Sequence, residues 1–196
     1  MAKIKSAGTL TKKDSIVKAA AALFRTRGYK ATSMRELALS MGVEAPSLYN
    51  HIGSKSELLQ CICFKVANAF QGHLQQVENL QASPVVKLEK LIRFQIQMML
   101  QAFDEVYVSN HEWRYLEEPH HSDYLQQRKT YEQRMVMLIT EGKGQNLLKD
   151  VHPQVAVLTI LSAVRGLELW QRYKKELDAA VLENNMVNQL LTGIIN

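Results

Sequence analysis

This 196-residue chain has little of what would make it a fibre, a disulfide-held scaffold or a membrane span. It has four prolines and nine glycines, too few for a collagenous or linker-dominated chain. Two cysteines, Cys61 and Cys63, stand two positions apart. On a helix that spacing sends them about 200° apart around the axis, so they neither bridge nor chelate together. Buried, reduced thiols are expected. The longest apolar run, Val155 to Trp170, is interrupted by Arg165 and Glu168 and falls short of a bilayer span. No apolar signal segment follows the basic start MAKIKSAGTLTKKD, which makes a cytoplasmic location the expectation. Nor does the chain show period-two alternation rich in β-branched residues, so strands are not expected. Gly142-x-Gly144 lacks the Lys-Ser/Thr of a phosphate loop and reads as a helix C-cap, and G-x-S-x-G is missing. Catalysis is not expected, and nothing calls for a cofactor.

Hydrophobic residues make up 46% of the chain, ample for a core, and the net charge is +5. That charge is unevenly placed. Residues 1–60 carry ten Lys/Arg against four Asp/Glu, while the other 136 carry fourteen against fifteen. A basic module on a nearly neutral body is the electrostatic footprint of phosphate-backbone binding.

Within that module, Ser33 to Lys55 reads SMRELALSMGVEAPSLYNHIGSK. Ser33 followed by Glu36 is a capping box that opens one short helix. Leu37, Ala38 and Met41 give it an apolar face, and Gly42 supplies the positive φ that ends it. Val43 plugs the corner, and Pro46 suits the first turn of a second helix. Leu48 and Ile52 turn inward, leaving Ser47, Tyr49, Asn50 and His51 outside. Ser54 and Glu57 form a second capping box. Two helices joined in this way form a helix-turn-helix, whose second helix enters a DNA major groove.

The segment from Ile16 to Leu59 resembles the N-terminal domain of TetR-family transcriptional regulators. The resemblance rests on IVKAAAALFRTRGYKATSM, on RELA, and on SLYNHIGSKSELL set against the family's LYxHFxSKxxL. It implies phosphate contacts for Tyr49, His51 and Lys55, to which a phenol, an imidazole and an ammonium are chemically suited. Base reading falls to Glu44, Ala45, Ser47 and Asn50, since Asn pairs with adenine and Ser or Ala meets a base edge or thymine methyl. Glu44 and Pro46 depart from the family's common pattern, and Glu44 repels phosphate. Ser33 and Arg35 are further DNA-contact candidates.

Beyond the module the chain reads as helices throughout. The first spans about Lys12–Arg27, after a basic arm over residues 1–10. A fourth runs from after Ser54 to about Gln81, a fifth from Pro84 to about Phe103, and a sixth from Val106 to Leu116. The seventh covers Ser122–Glu141. The eighth, beginning near Asp150–Pro153, is apolar nearly all round from Val155 to Leu169, and such a helix is buried on every side. In so small a chain that argues for a partner subunit. The ninth runs from Asp178 to about Ile194. The fold expected is therefore all-α, a nine-helix TetR-like architecture with a DNA-binding domain at 1–57 and an effector-binding and dimerisation domain at 58–196. Two-fold DNA half-sites independently call for a homodimer, and the resemblance places it on helices eight and nine.

The stretch HEWRYLEEPHHSDYLQQRKTYEQRM and the later WQRY are similar to the acyl-CoA-responsive branch of the family. This implies an apolar small-molecule effector, with an acyl-CoA as one form. Phe94, Met98, Met99, Phe103 and Leu161 are candidate walls. Arg114, Arg128 and Arg165 are candidate anchors, and Trp113 and Trp170 complete the set; ordinary core packing is the competing reading for the aromatic and Met stripes. Arg165 and Glu168, three apart, are placed to pair on one helix face. His111, Glu112, His120, His121 and Asp123 cluster around Pro119 at spacings that match no metal site, so a solvated loop is expected. Repression relieved by ligand is the expected mechanism, with the fourth helix as lever. A DNA-binding structural protein without an effector is the alternative, and a helical enzyme a third.

Overall fold

The computed structural model describes residues 11–170 and 178–195. The basic arm at 1–10 and the end of the WQRY motif, residues 171–173, lie outside them. Within the described residues the protein is helical, the nearest approach to a strand being a single bridge between Leu148 and Ile195.

The basic module is built from α1 (Lys12–Arg27), α2 (Met34–Ser40) and α3 (Ala45–Tyr49). Thr11 and Asp14 cap α1 reciprocally, and Gly28 ends it at φ +86°. Ser33 and Glu36 form the expected capping box on α2. The turn into α3 is a Schellman motif. Val43 N–H donates to the Ala38 carbonyl at 3.0 Å and Gly42 N–H to the Leu39 carbonyl at 3.1 Å, with Gly42 at φ +65°. Val43 and Ala38 meet in the core beneath it, so the corner is closed by hydrogen bonds and packing together.

A single long helix, α4 (Lys55–Glu78), leaves this module, about 36 Å at 1.5 Å per residue. Its start corrects one sequence expectation. Glu57 N–H does receive the Ser54 hydroxyl oxygen as acceptor, but the Glu57 carboxylate reaches back to Gly53 N–H and across to Lys13 rather than to Ser54. Leu58, Leu59 and Ile62 pack with Ile16, Phe24 and Leu48 in the module's core. Further along the helix, Leu74 and Val77 belong to a second core.

That second core is laid down by α5 (Pro84–Gln101), α6 (Phe103–His111), α7 (His120–Gly144), α8 (Pro153–Arg165), the short α9 (Leu167–Trp170) and α10 (Ala179–Thr192). A 3₁₀ turn, Trp113–Tyr115, follows α6, so the expected sixth helix is shorter and earlier than its sequence suggested. The helix α7 runs through Gly142 and Gly144, and a left-handed Asn146 (φ 57°) reverses the chain instead. Gly142 is therefore no C-cap. A Cβ there would sit 2.7 Å from a Leu148 methyl, so the glycine serves close packing. The expected eighth helix is in two pieces, broken at Gly166. One face of α8 is covered, whereas Val155 (57%) and Leu158 (65%) are exposed, as is Leu169 of α9. Burial on every side is not met within one chain. No helix of the described residues is long and apolar enough to cross a membrane.

The Ser33 backbone N–H and hydroxyl hold the Glu36 carboxyl below the usual carboxylate range. A carboxyl depressed on folding stabilises above its unfolded pKa, and this is lost as pH falls through the folded value. Ser33→Ala should cost about 1 kcal/mol in urea unfolding at neutral pH. The deficit of Glu36→Gln relative to the native chain, measured alike, should shrink on acidification through the carboxylate range.

Candidate nucleic-acid interface and effector cavity

The helix-turn-helix presents a small, mixed surface. Leu48 and Ile52 are fully buried, and this rotation of α3 leaves Tyr49, Asn50 and His51 exposed on its far side. Glu44 is exposed at the N-cap without a side-chain capping bond, Ala45 and Ser47 are half-buried, and Arg35 is exposed on α2. Ser33 is less available than its exposure suggests. Its hydroxyl donates to Glu36 Oε2 at 2.9 Å and accepts from Glu36 N–H at 3.2 Å.

Lys55 departs most from expectation. Its ammonium is turned into the protein, donating to the carbonyls of Thr32 at 3.0 Å and Tyr29 at 3.1 Å, with Lys30 O at 3.4 Å. It also stands 4.5 Å above the Tyr29 ring. An ammonium has three N–H donors, and the α1–α2 turn takes up the set. Here Lys55 ties the first residue of α4 to the loop before α2, a bond between elements more than twenty residues apart. Tyr29 in turn packs edge-on against Phe24 and stacks on Tyr115 at 5.7 Å.

The second site is a cavity of about 110 Å³, open on one side and lined by five helices. From α4 it receives Val66, Ala67, Phe70 and Gln71, and from α5 Gln95 and Met99. Val106, Ser109 and Asn110 of α6, Tyr124, Gln127, Arg128, Tyr131 and Glu132 of α7, and Leu161, Val164 and Arg165 of α8 complete it. The wall divides by chemistry. Phe70, Met99, Val106, Leu161 and Val164 form an apolar body, with Gln95 beside Tyr131. Arg128, Arg165, Asn110 and Gln127 supply polar groups, and Arg165 is exposed. Gln127 Oε1 is buried with no hydrogen-bond partner among the described residues. Burial pushes the Tyr131 and Tyr124 phenols up, so both remain protonated donors at neutral pH. Tyr124 spends its proton on the Ser109 carbonyl at 2.6 Å.

Met99, Arg128, Leu161 and Arg165 thus line the cavity, and the other sequence candidates do not. Phe94 stacks on His73 at 4.0 Å, Met98 packs against the second core, and Phe103 lies under Arg25. Trp113 forms an aromatic group with His121 and Tyr124, under the Arg128 guanidinium. Arg114 is exposed and donates to the His111 carbonyl; Trp170 packs against the second core. Arg165 and Glu168 do not pair, because the break at Gly166 rotates α9. Glu168 meets His111 Nε2 at 2.9 Å instead. His120 and His121 face aromatic rings, and no set of three or more His, Cys, Asp or Glu converges among the described residues. Cys63 is buried with its thiol pushed up to about 12, and Cys61 is likewise a free thiol.

Cavity and basic module are joined by more than α4. On α6, Asp104 pairs with Arg25 of α1, and the buried Glu105 meets Lys65 at 3.3 Å. Further along α6, Val106, Ser109 and Asn110 are cavity wall.

Residues 16–62 match the family model described as bacterial regulatory proteins, tetR family, and residues 81–194 match the tetracyclin repressor-like C-terminal domain. The chain belongs to the TetR family of transcriptional regulators. Its curated relatives include the HTH-type transcriptional repressor KstR2 of Mycolicibacterium smegmatis, 27% identical over 133 residues. That alignment covers 67% of this chain and 65% of the relative, a little under two thirds of its length. Among solved structures, the ketosteroid transcriptional regulator KstR2 of Mycobacterium tuberculosis superposes with a TM-score of 0.89 at 20% identity, covering 96% of this chain and 97% of that one. A crystal structure of AibR in complex with isovaleryl coenzyme A and operator DNA gives 0.80 at 26% identity, covering 92% and 98%.

In this TetR-family chain the Lys55 brace is separable from any contact with DNA. Lys55→Met should lower stability by about 2 kcal/mol in urea unfolding of the protein alone, since it strips charged hydrogen bonds from part-buried carbonyls. An exposed phosphate-binding lysine would leave that measurement unchanged.

Proposed function

We propose that this regulator is a homodimeric repressor that binds operator DNA through residues 1–57 and is released by an apolar small molecule held in the domain formed by 58–196. The observation that carries the reading is the sharing of α4. Its first two turns are core to the helix-turn-helix, and Val66, Ala67, Phe70 and Gln71 further along are wall of the cavity. A cavity of about 110 Å³ is well below the roughly 300–1,000 Å³ of drug-sized ligand sites. On this reading a ligand of that size widens the cavity as well as extending through its open side, and moving α4 moves α3. A ligand binding the widened state better shifts the pair of recognition helices away from the spacing of successive major grooves.

On the DNA side, Tyr49 and His51 are the phosphate contacts of this reading, with Arg35 beside them, and Ser47, Asn50, Ala45 and Glu44 read bases. Lys55 acts by positioning α4 and Ser33 by capping. On the ligand side, an acyl-CoA is favoured by the apolar body with Arg128 and Arg165 outnumbering Glu132 among the charged wall residues, and by the isovaleryl coenzyme A held in the AibR complex. Arg128 and Arg165 are its anchors, with Met99 and Leu161 in the wall. The dimer forms through α8 and α10, with Leu158 and Val155 exposed on the first and Val181 on the second.

Electrophoretic mobility shifts on DNA from the protein's own upstream region test the pieces together. A short- to medium-chain acyl-CoA is expected to weaken operator binding at least tenfold, and Arg165→Ala to blunt that response without changing affinity in its absence. Tyr49→Phe should weaken binding evenly across sequences, whereas Asn50→Ala should relax preference at one position. Operator affinity that rises with acyl-CoA would reverse the sign, and indifference to the whole panel would leave a DNA binder without an effector. Leu158→Glu should shift the protein from dimer to monomer in sedimentation velocity.

A further inference from the structure

Two of the cavity's wall residues are polar where the surroundings are not. Gln95 on α5 is 4% exposed and Tyr131 on α7 is 8% exposed, and both line the cavity among Val66, Phe70 and Met99. They hold each other: Gln95 Nε2 donates to the Tyr131 hydroxyl oxygen at 3.0 Å and to Met135 Sδ at 3.5 Å. This uses both amide protons. Among the described residues neither the Tyr131 hydroxyl proton nor Gln95 Oε1 has a further hydrogen-bond partner, and Gln95 Oε1 keeps some accessible surface in the cavity rather than being sealed in the core. Turning the amide over gives the Tyr131 proton to Oε1 but then leaves the two N–H groups unspent. In either orientation at least one donor remains over, in a place where unpaired polar groups are costly. A plain apolar cavity would have Leu and Phe here with no such cost.

We propose that Gln95 and Tyr131 form a built subsite for an acceptor oxygen, a ketone or other carbonyl carried on the part of the effector lodged in the apolar body of the cavity. This rests on the effector-cavity reading above and adds to it a chemical requirement at a second point, distinct from the basic groups Arg128 and Arg165. The carbonyl accepts from the phenol in one amide orientation and from the amide N–H in the other, so it satisfies the subsite both ways. A hydrocarbon of the same shape satisfies neither. The effector class follows: an acyl compound whose hydrophobic portion is itself oxygenated, rather than a simple fatty chain.

The test uses a pair of isosteric probes on the full chain. Cyclohexanone and methylenecyclohexane differ by C=O against C=CH₂, and a cavity of about 150 Å³ takes benzene, so a six-membered ring suits one of this order. Methyl NMR of methionine-labelled protein reports binding at Met99 and Met135 directly. The ketone is expected to bind about tenfold more tightly than the alkene, although water favours the ketone. Gln95→Met and Tyr131→Phe should each bring the ratio to one or below. The native ratio needs no variant, so loss of folding in Tyr131→Phe leaves the comparison intact, and Gln95→Met carries it. A native preference for the alkene, or a ketone preference that survives both substitutions, overturns the subsite while the cavity reading stands. Silence of the Met99 methyl to both probes overturns the subsite and the cavity together.

Discussion

The rest of the structure depends on the continuity of α4. A helix of 24 residues transmits a displacement of one end to the other, because each turn is locked to the next by backbone hydrogen bonds. Here its two ends are buried in different cores, one with α1 to α3 and one with α5, α7, α8 and α10. Neither core can change its packing without α4 registering it. The contacts of α6 with α1, through Asp104 and Arg25, give the assembly a second strut, so the module is held at two points rather than hinged at one. Such a frame favours two discrete packings over a gradual bend, since close-packed interiors resist continuous deformation.

Electrostatics divide labour within the basic module. Much of its positive charge is already committed: Lys13 to Glu57, Arg27 to Glu36, Arg25 to Asp104, and Lys55 to main-chain carbonyls. The excess that gives the module its sign therefore acts mainly as a field, drawing a polyanion in and orienting it. On the proposed reading, contacts that distinguish one sequence from another fall to the few side chains at and around α3, namely Glu44, Ala45, Ser47 and Asn50. Such a surface joins strong salt dependence with modest direct readout, and in the proposed homodimer the spacing of half-sites supplies the remaining specificity.

How legible all this was in the sequence depended on range. The capping box of Ser33 and Glu36, the Gly42 turn and the inward Leu48 and Ile52 are set by neighbours within five residues, and each is where the pattern put it. The carbonyl partners of Lys55 were not legible, because they lie 23 to 26 positions earlier and no local spacing announces a carbonyl cluster. The cavity was legible only in part for the same reason. Phe94 and Trp113 have the composition of a ligand wall, but their faces are taken by His73 and by His121 and Tyr124. Gln95 and Tyr131 were missed altogether. Of the three glutamines of α5, Gln95 alone falls on the apolar stripe, four residues from both Leu91 and Met99, and that was the available signal. Gly142 looked like a helix end and proved to be a contact with Leu148, a distinction that depends on what crosses the helix rather than on the helix itself.

The small size of the resting cavity has a kinetic and metabolic side. If the state that admits a ligand is a minor one, the apparent affinity falls in proportion to how seldom it is visited. Under the proposed mechanism, trace amounts of effector then leave the operator occupied, and release begins only once the compound has accumulated past a set level. The aromatic and methionine side chains that fill the cavity would thus act as a threshold device, tuning the dose at which the cell responds. Enlarging the void by trimming one of them would lower that dose without altering a single contact with DNA.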